Sequence, residues 1–203
     1  IQNTFPEQIQ NFDILTTVEI IYFGRDYLSK NVTNIRPTID IGKSEKLLNP
    51  DKKDLQILSL LSNNARISSV EIAQQLRISP NTVMARIKNM KKSGLLLGFK
   101  PFIHSEVFGY TTYKSLIKLQ NATVKKEKQI INYLKYNSNV VATIKLVGSW
   151  DFEIEFEFKT KEEMLLFTRE VRDQFKDVIK EFESVPIYHE YRINYFPKDL
   201  LPF

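Results

Sequence analysis

The apolar positions of this chain change period part-way along it. Between residues 51 and 94 they recur every three or four residues, the spacing of one helical face, and from residue 111 they mostly alternate in short runs. In DKKDLQILSLLSNN, Leu55, Leu58 and Leu61 keep helical spacing with Ile57 and Leu60 beside them, which predicts a first helix. In SSVEIAQQL, Ser68 stands three residues before Glu71, so its hydroxyl can accept from the Glu71 backbone N–H while the carboxylate returns to the cap. Val70, Ala73 and Leu76 share a face of this second helix, and Arg77, Ile78 and Ser79 turn the chain. Pro80 then takes a first helical position, where its missing N–H costs nothing, and a third helix runs from Pro80 to Ser93 with Gly94 as its stop. Cap, turn, proline and stop in this order predict a helix-turn-helix.

On the third helix Val83, Ile87 and Met90 lie in one arc at about 100° per residue. That leaves Asn81, Ala85, Lys88 and Lys92 pointing the other way, flanked by Thr82, Arg86 and Asn89. A helix laid in the major groove offers the residues near its start to base edges and its later cations to phosphates. Asn81 suits adenine, Ala85 a thymine methyl and Lys88 guanine, with Ser79 and Lys91 at the two ends of the same surface. After Gly94, LLLGFKPFI predicts two short strands around Gly98, a wing whose Lys100 reaches backbone phosphate.

From residue 111 the pattern reads strand (TTYKSLIKLQ), helix (VKKEKQIINYLKYN), two strands about Gly148 and Ser149, helix (KEEMLLFTREVRDQF), and a last strand from near Val178. This βαββαβ order predicts a ferredoxin-like domain, with two helices on one face of an antiparallel sheet. In its third strand Phe152, Ile154, Phe156 and Phe158 alternate with Asp151, Glu153, Glu155 and Glu157, one face core and the other acidic. Lys114, Lys118 and Lys145 are expected on the acidic face as cross-strand partners. The fold class is therefore α+β: an N-terminal winged helix-turn-helix at 50–104, then a ferredoxin-like regulatory and dimerisation domain at 108–203.

Charge sharpens the picture. The chain carries +5 overall, but residues 51–104 hold nine basic and three acidic residues, a net +6, and the remainder sums to −1. With no acidic residue between Glu71 and Glu106, positive potential concentrates on the helix-turn-helix, as counterion-releasing contact with double-stranded DNA requires. The chain has no cysteine and only His104 and His189, which excludes disulfides and thiolate zinc sites; neither metal nor cofactor is expected. No apolar run approaches the roughly 20 residues that span a bilayer, and a cytoplasmic protein without membrane contact is expected.

The two ends resemble each other. Phe5, Ile9 and Phe12 match Phe175, Ile179 and Phe182 at a constant offset, and Glu19, Phe23, Asp26 and Leu28 match Glu190, Phe196, Asp199 and Leu201 after small insertions. Residues 1–28 are accordingly expected to be the tail of a preceding ferredoxin-like domain, with 29–49 as linker, in a parent built as a tandem of two such units.

The run NARIS, LxISPxTVxxRIK and GxxD, with LNPDKKDLQILSLLSNN before it and a βαββαβ domain carrying GSWD in its central hairpin, resembles the Lrp/AsnC family of archaeal and bacterial transcription regulators over about three quarters of the chain. The resemblance implies a DNA-binding winged helix-turn-helix and a C-terminal domain that drives dimerisation and higher assembly, either as a homodimer or by pairing within a tandem parent. It also implies an amino acid or related small molecule bound near the hairpin, through Gly148, Ser149, Trp150 and Asp151. Two positions depart from the family pattern: Arg77 stands where the turn often has glycine, and Ser149 and Trp150 replace the middle pair of the common GDYD. The sirohaem decarboxylases look like this family in architecture, but their proline-rich FP…RP stretch is NNARIS here, and no nucleophile–base pairing is visible. RNA-recognition domains share the βαββαβ order, but four carboxylates on the open sheet face would repel phosphate. The expectation is a sequence-specific DNA-binding regulator and not an enzyme.

Overall fold

Local capping and alternation produce the elements in chain order. The computed structural model describes residues 12–28, 36–42, 48–189 and 196. Strands β1 (Thr16–Phe23) and β2 (Thr38–Ile41) come first, followed by helices α1 (Lys52–Asn63), α2 (Ser69–Leu76) and α3 (Pro80–Ser93). Then come β3 (Thr111–Leu119), α4 (Val124–Tyr136), β4 (Val140–Val147), β5 (Phe152–Phe158), α5 (Lys161–Gln174) and β6 (Ile179–Ile187). As far as they are described, residues 43–102 with 189–203 make one unit, and residues 1–42 with 103–188 make another.

In the first unit the three helices share a core of Ile57, Leu61, Ile72, Ala73, Val83 and Met90. Val70, expected on the inward face, is half exposed, because Ile72, Ala73 and Leu76 define the buried arc at about 100° per residue and Val70 falls outside it. The expected wing does not form: residues 97–104 contain no strand. Leu95 and Leu96 turn onto the helical core instead, and the Leu96 N–H donates to the Met90 carbonyl at 3.0 Å. A lone two-stranded hairpin is at best marginal in water, and the burial of these two leucines outweighs it.

In the second unit the βαββαβ order is as predicted. Every strand pair is antiparallel, and the part β4-β5-β3-β6 of the sheet is the ferredoxin-like arrangement. Helices α4 and α5 lay Ile130, Leu134, Met164, Phe167 and Val171 over Phe152, Ile154, Phe156 and Phe158. On the other face the Lys114 ammonium lies 2.9 Å from Glu153 and 2.8 Å from Glu155. Burial alone would lower its pKa, but the Glu155 and Glu153 carboxylates more than offset this and hold it raised. Lys118 reaches Asp151 at 3.8 Å. Lys145, expected with them, lies on the helix side opposite Phe152 and pairs with Glu127 of α4. A register shift between Val140 and Ala142 accompanies this placement, and because β4 is buried on both faces its alternation carried no signal of side.

The sheet does not end at β4. Strand β1 pairs with β4 from Thr16↔Val147 to Tyr22↔Ala142, and β2 pairs with β1. Residues 38–41, expected inside a linker, are thus a sheet strand; Thr-Ile-Asp-Ile alternates, but four residues among polar neighbours gave too short a pattern to read. Residues 16–23 join the sheet of the unit that follows them in this chain, and Ile21 and Phe23 enter its main core. The remaining residues of the expected tail and linker, 1–11, 29–35 and 43–47, lie outside the described residues, as do 190–195 and 197–203 of the internal match.

Two arginines fasten this addition. Arg25 makes a two-pronged contact with Glu157, both N···O distances 2.9 Å, and Glu157 is 1% exposed. The Arg36 guanidinium donates to the carbonyls of Gly24, Asn137 (2.8 Å), Ser138 (3.0 Å) and Val140, and lies 3.2 Å from Asp26. It also donates to the Lys135 carbonyl in the last turn of α4 at 3.2 Å, and a cation set there answers both an unmet acceptor and the negative helix end.

Candidate nucleic-acid interface

The geometry around α3 begins with its caps. The Ser68 hydroxyl accepts from the Glu71 N–H at 3.1 Å and the Glu71 carboxylate accepts from the Ser68 N–H at 2.9 Å, so α2 starts where the sequence indicated. These bonds hold the Glu71 carboxyl below the usual carboxylate range. The Ser79 hydroxyl accepts from the Thr82 N–H at 3.1 Å and shares a 2.8 Å bond with the Thr82 hydroxyl. Ser79 therefore acts as the N-cap of α3. Gly94, at φ +83°, ends the helix, with Lys91 and Lys92 in its last turn.

Between the helices Arg77 adopts φ 52°, ψ 50°, the left-handed region, as the turn demands of whatever residue sits there. A non-glycine residue in this conformation carries roughly 1 kcal/mol of strain. The Lys53 ammonium donates to the Leu76 carbonyl at 2.8 Å, closing the C-terminal end of α2.

The exposed surface of α3 contains Asn81, Thr82, Met84, Ala85, Lys88, Asn89, Lys91 and Lys92. Arg86 belongs elsewhere: its guanidinium lies 2.7 Å from Asp51 and 2.8 Å from Asp54, tying α3 to the capped start of α1. Thr82, Ala85, Arg86 and Asn89 line a groove of about 510 Å³ whose other wall is formed by Leu48, Asn49 and Pro50. The Lys91 ammonium sits 5.5 Å from the centre of the Phe99 ring. Lys100 is exposed in the segment that was expected to be the wing. Sequence reasoning passed over Met84, which is 52% exposed on the polar side of the helix. The signal was present, since Met84 lies off the Val83–Ile87–Met90 arc.

Residues 50–96 match the winged helix-turn-helix DNA-binding family, a match that stops before the segment without strands. An uncharacterised HTH-type transcriptional regulator of Pyrococcus abyssi is 30% identical over 122 residues, which cover 60% of this chain and 81% of that protein. The regulatory protein AsnC of Haemophilus influenzae is 28% identical over 102 residues, half of this chain and 67% of AsnC. The chain belongs to the Lrp/AsnC family. A solved transcriptional regulator of Neisseria meningitidis, in complex with L-Met, shares the fold at 18% identity with a TM-score of 0.63, covering 76% of this chain and all of its own.

As an Lrp/AsnC member the chain is a DNA-binding transcription regulator, and its central hairpin can be compared with the sequence expectation. Gly148 sits at φ +145°, and a Cβ there would lie 2.9 Å from Leu15 Cδ2 and 3.0 Å from the Ile14 carbonyl, so the approach of residues 14–15 requires glycine. The Asp151 carboxylate accepts from the Leu119 N–H at 2.7 Å, stitching the start of β5 to the end of β3. Lys118 donates to the Gly148 carbonyl at 3.3 Å. Ser149 is exposed and Trp150 half-buried. Among the described residues no group of three or more His, Asp or Glu converges to hold a metal ion, and no helix is long and apolar enough to cross a membrane.

Proposed function

We propose that this regulator recognises a specific duplex sequence through α3 and acts as a dimer or larger assembly in the cytoplasm, without catalysis of its own. The carrying observation is the composition of one helix surface: neutral and apolar groups at Asn81, Met84 and Ala85 near its start, cations at Lys88, Lys91 and Lys92 toward its end, and no carboxylate between. Base edges are read by the first group together with Lys88, and phosphates are met by the remaining cations. Asn81 and Lys88 specify bases; Lys92 and Lys100 supply sequence-independent affinity; Ser79, Thr82 and Arg86 hold the helix in place. Two such helices, from two copies or from two units of a tandem parent, read half-sites about one helical turn apart or a multiple of it.

Selection of bound duplexes from a random pool at physiological salt tests this directly. A defined consensus is expected, and binding without sequence preference would refute the reading. Asn81→Ala or Lys88→Ala relaxes preference at single positions, whereas Lys92→Ala weakens all sequences and reduces the salt slope by about one. The hairpin at Gly148, Ser149, Trp150 and Asp151 is the proposed effector element, by analogy with the L-Met complex of the Neisseria protein. Quenching of Trp150 fluorescence on titration with each amino acid checks it, and no response to any of them rules this hairpin out.

A further inference from the structure

We propose that Met84, with Ala85 beside it, determines specificity by contacting thymine methyl groups, so that each half-site carries thymines where the start of α3 meets the major groove. The inference rests on the docking of α3 proposed above. Three observations carry it.

First, the two flanks of α3 are not equivalent. On one side Arg86 is held by Asp51 and Asp54, the hydroxyls of Ser79 and Thr82 bond each other, and Thr82, Arg86 and Asn89 face residues 48–50 across a groove. On the other side Met84 projects from the helix with half of its surface exposed. The readable face is therefore turned away from the Thr82–Arg86–Asn89 flank, toward Asn81, Met84 and Lys88, with Ala85 at its border where the groove begins.

Second, Met84 stands three residues after Asn81 and four before Lys88, the spacings that bring side chains together on a helix. Any docking that brings Asn81 and Lys88 to base edges brings Met84 with them. Third, chemistry limits what Met84 can read. A thioether side chain donates no hydrogen bond and accepts only weakly, so among major-groove groups the C5 methyl of thymine is its complement. Its three rotatable bonds let it follow that methyl without demanding one backbone position. Ala85, one residue on and about 100° round the helix, presents a second methyl-sized group at the groove-side border of that face.

Burial of one methyl-sized apolar group corresponds to about a fourfold change in affinity. The experiment uses the full chain and the consensus obtained by selection, resynthesised with uracil in place of thymine one position at a time, which removes only the methyl group. The wild-type protein is expected to lose about fourfold at one or two adjacent thymines. Met84→Ala should lose that sensitivity at one of them, and Lys88→Ala should retain it. Met84 is exposed, so its truncation leaves the fold intact, and the unchanged far-UV circular dichroism of the variant checks this. If uracil is tolerated at every position while the consensus persists, the Met84 assignment is overturned and the DNA reading stands. If Met84→Ala keeps the wild-type uracil profile, Met84 makes no such contact. Absence of any consensus removes both.

Discussion

The two units of this chain are held together by different means. In the helix-turn-helix unit most fixing contacts are made over three to five residues: Ser68 with Glu71, Ser79 with Thr82, Asp51 with Asp54. In the sheet unit the decisive contacts join residues more than a hundred positions apart, Arg25 to Glu157 and Arg36 to Val140. Local bonds define where a helix begins, and each is replaceable at modest cost. Long-range bonds to a buried charge, as between Arg25 and Glu157, are not, because loss of one partner leaves the other desolvated. The contrast has exceptions: Lys53 reaches the Leu76 carbonyl across 23 residues, and Arg86 reaches Asp51 and Asp54 from 32 or more residues away and makes the start of α1 depend on α3.

The largest test of this contrast is Arg25→Ala. With Glu157 left unpaired and 1% exposed, the sheet unit should lose about 3–5 kcal/mol. Trp150 is the only tryptophan and lies in that unit, so its fluorescence during urea unfolding reports the loss. A shift under 1 kcal/mol would show that water reaches Glu157 and that the contact is not structural. Ser68→Ala comes next, at about 1 kcal/mol from one lost cap. Faster hydrogen exchange should be confined to α2 and its neighbours, with the Trp150 transition unmoved; a change in both would mean the units do not respond separately.

Arg77→Gly should act in the opposite direction. It relieves the left-handed strain but adds freedom to the unfolded chain, so a net gain of about 0.5 kcal/mol is expected in the helical transition. A loss would assign Arg77 an interaction that outweighs its backbone. The smallest effect is one of pH. Bonds from the Asp54 backbone N–H and from Arg86 hold the Asp51 carboxyl below the usual carboxylate range. A depressed pKa in the folded state contributes stability above the ordinary value, near 4, and that contribution is lost as pH falls through the lower folded value. Below about pH 4 the helical unit should therefore weaken, and Asp51→Asn should flatten this dependence; an unchanged acid profile would remove Asp51 from the cause.

Much of this was legible in advance, and the reason is distance along the chain. Caps, the proline at the first position of α3, the Gly94 stop and the βαββαβ order are patterns within one element or between adjacent ones. The side of Lys145 was not, because a strand buried on both faces has no polar alternation to give its register. The outward placement of Met84 could have been read from the helical wheel, whereas the capture of Arg86 could not, because its partners lie in another helix.

The sequence by itself determined which segments become helices, where α3 starts and stops, and that positive charge gathers around it, since each follows from neighbouring residues and their covalent spacing. Only the tertiary structure decided that Thr16–Phe23 and Thr38–Ile41 extend the sheet, that residues 97–104 contain no strand, and that Arg86 pairs with Asp51 and Asp54. Those outcomes depend on which backbone edge, core surface or carboxylate is within reach after folding, and reach across space is what a linear order of residues does not encode.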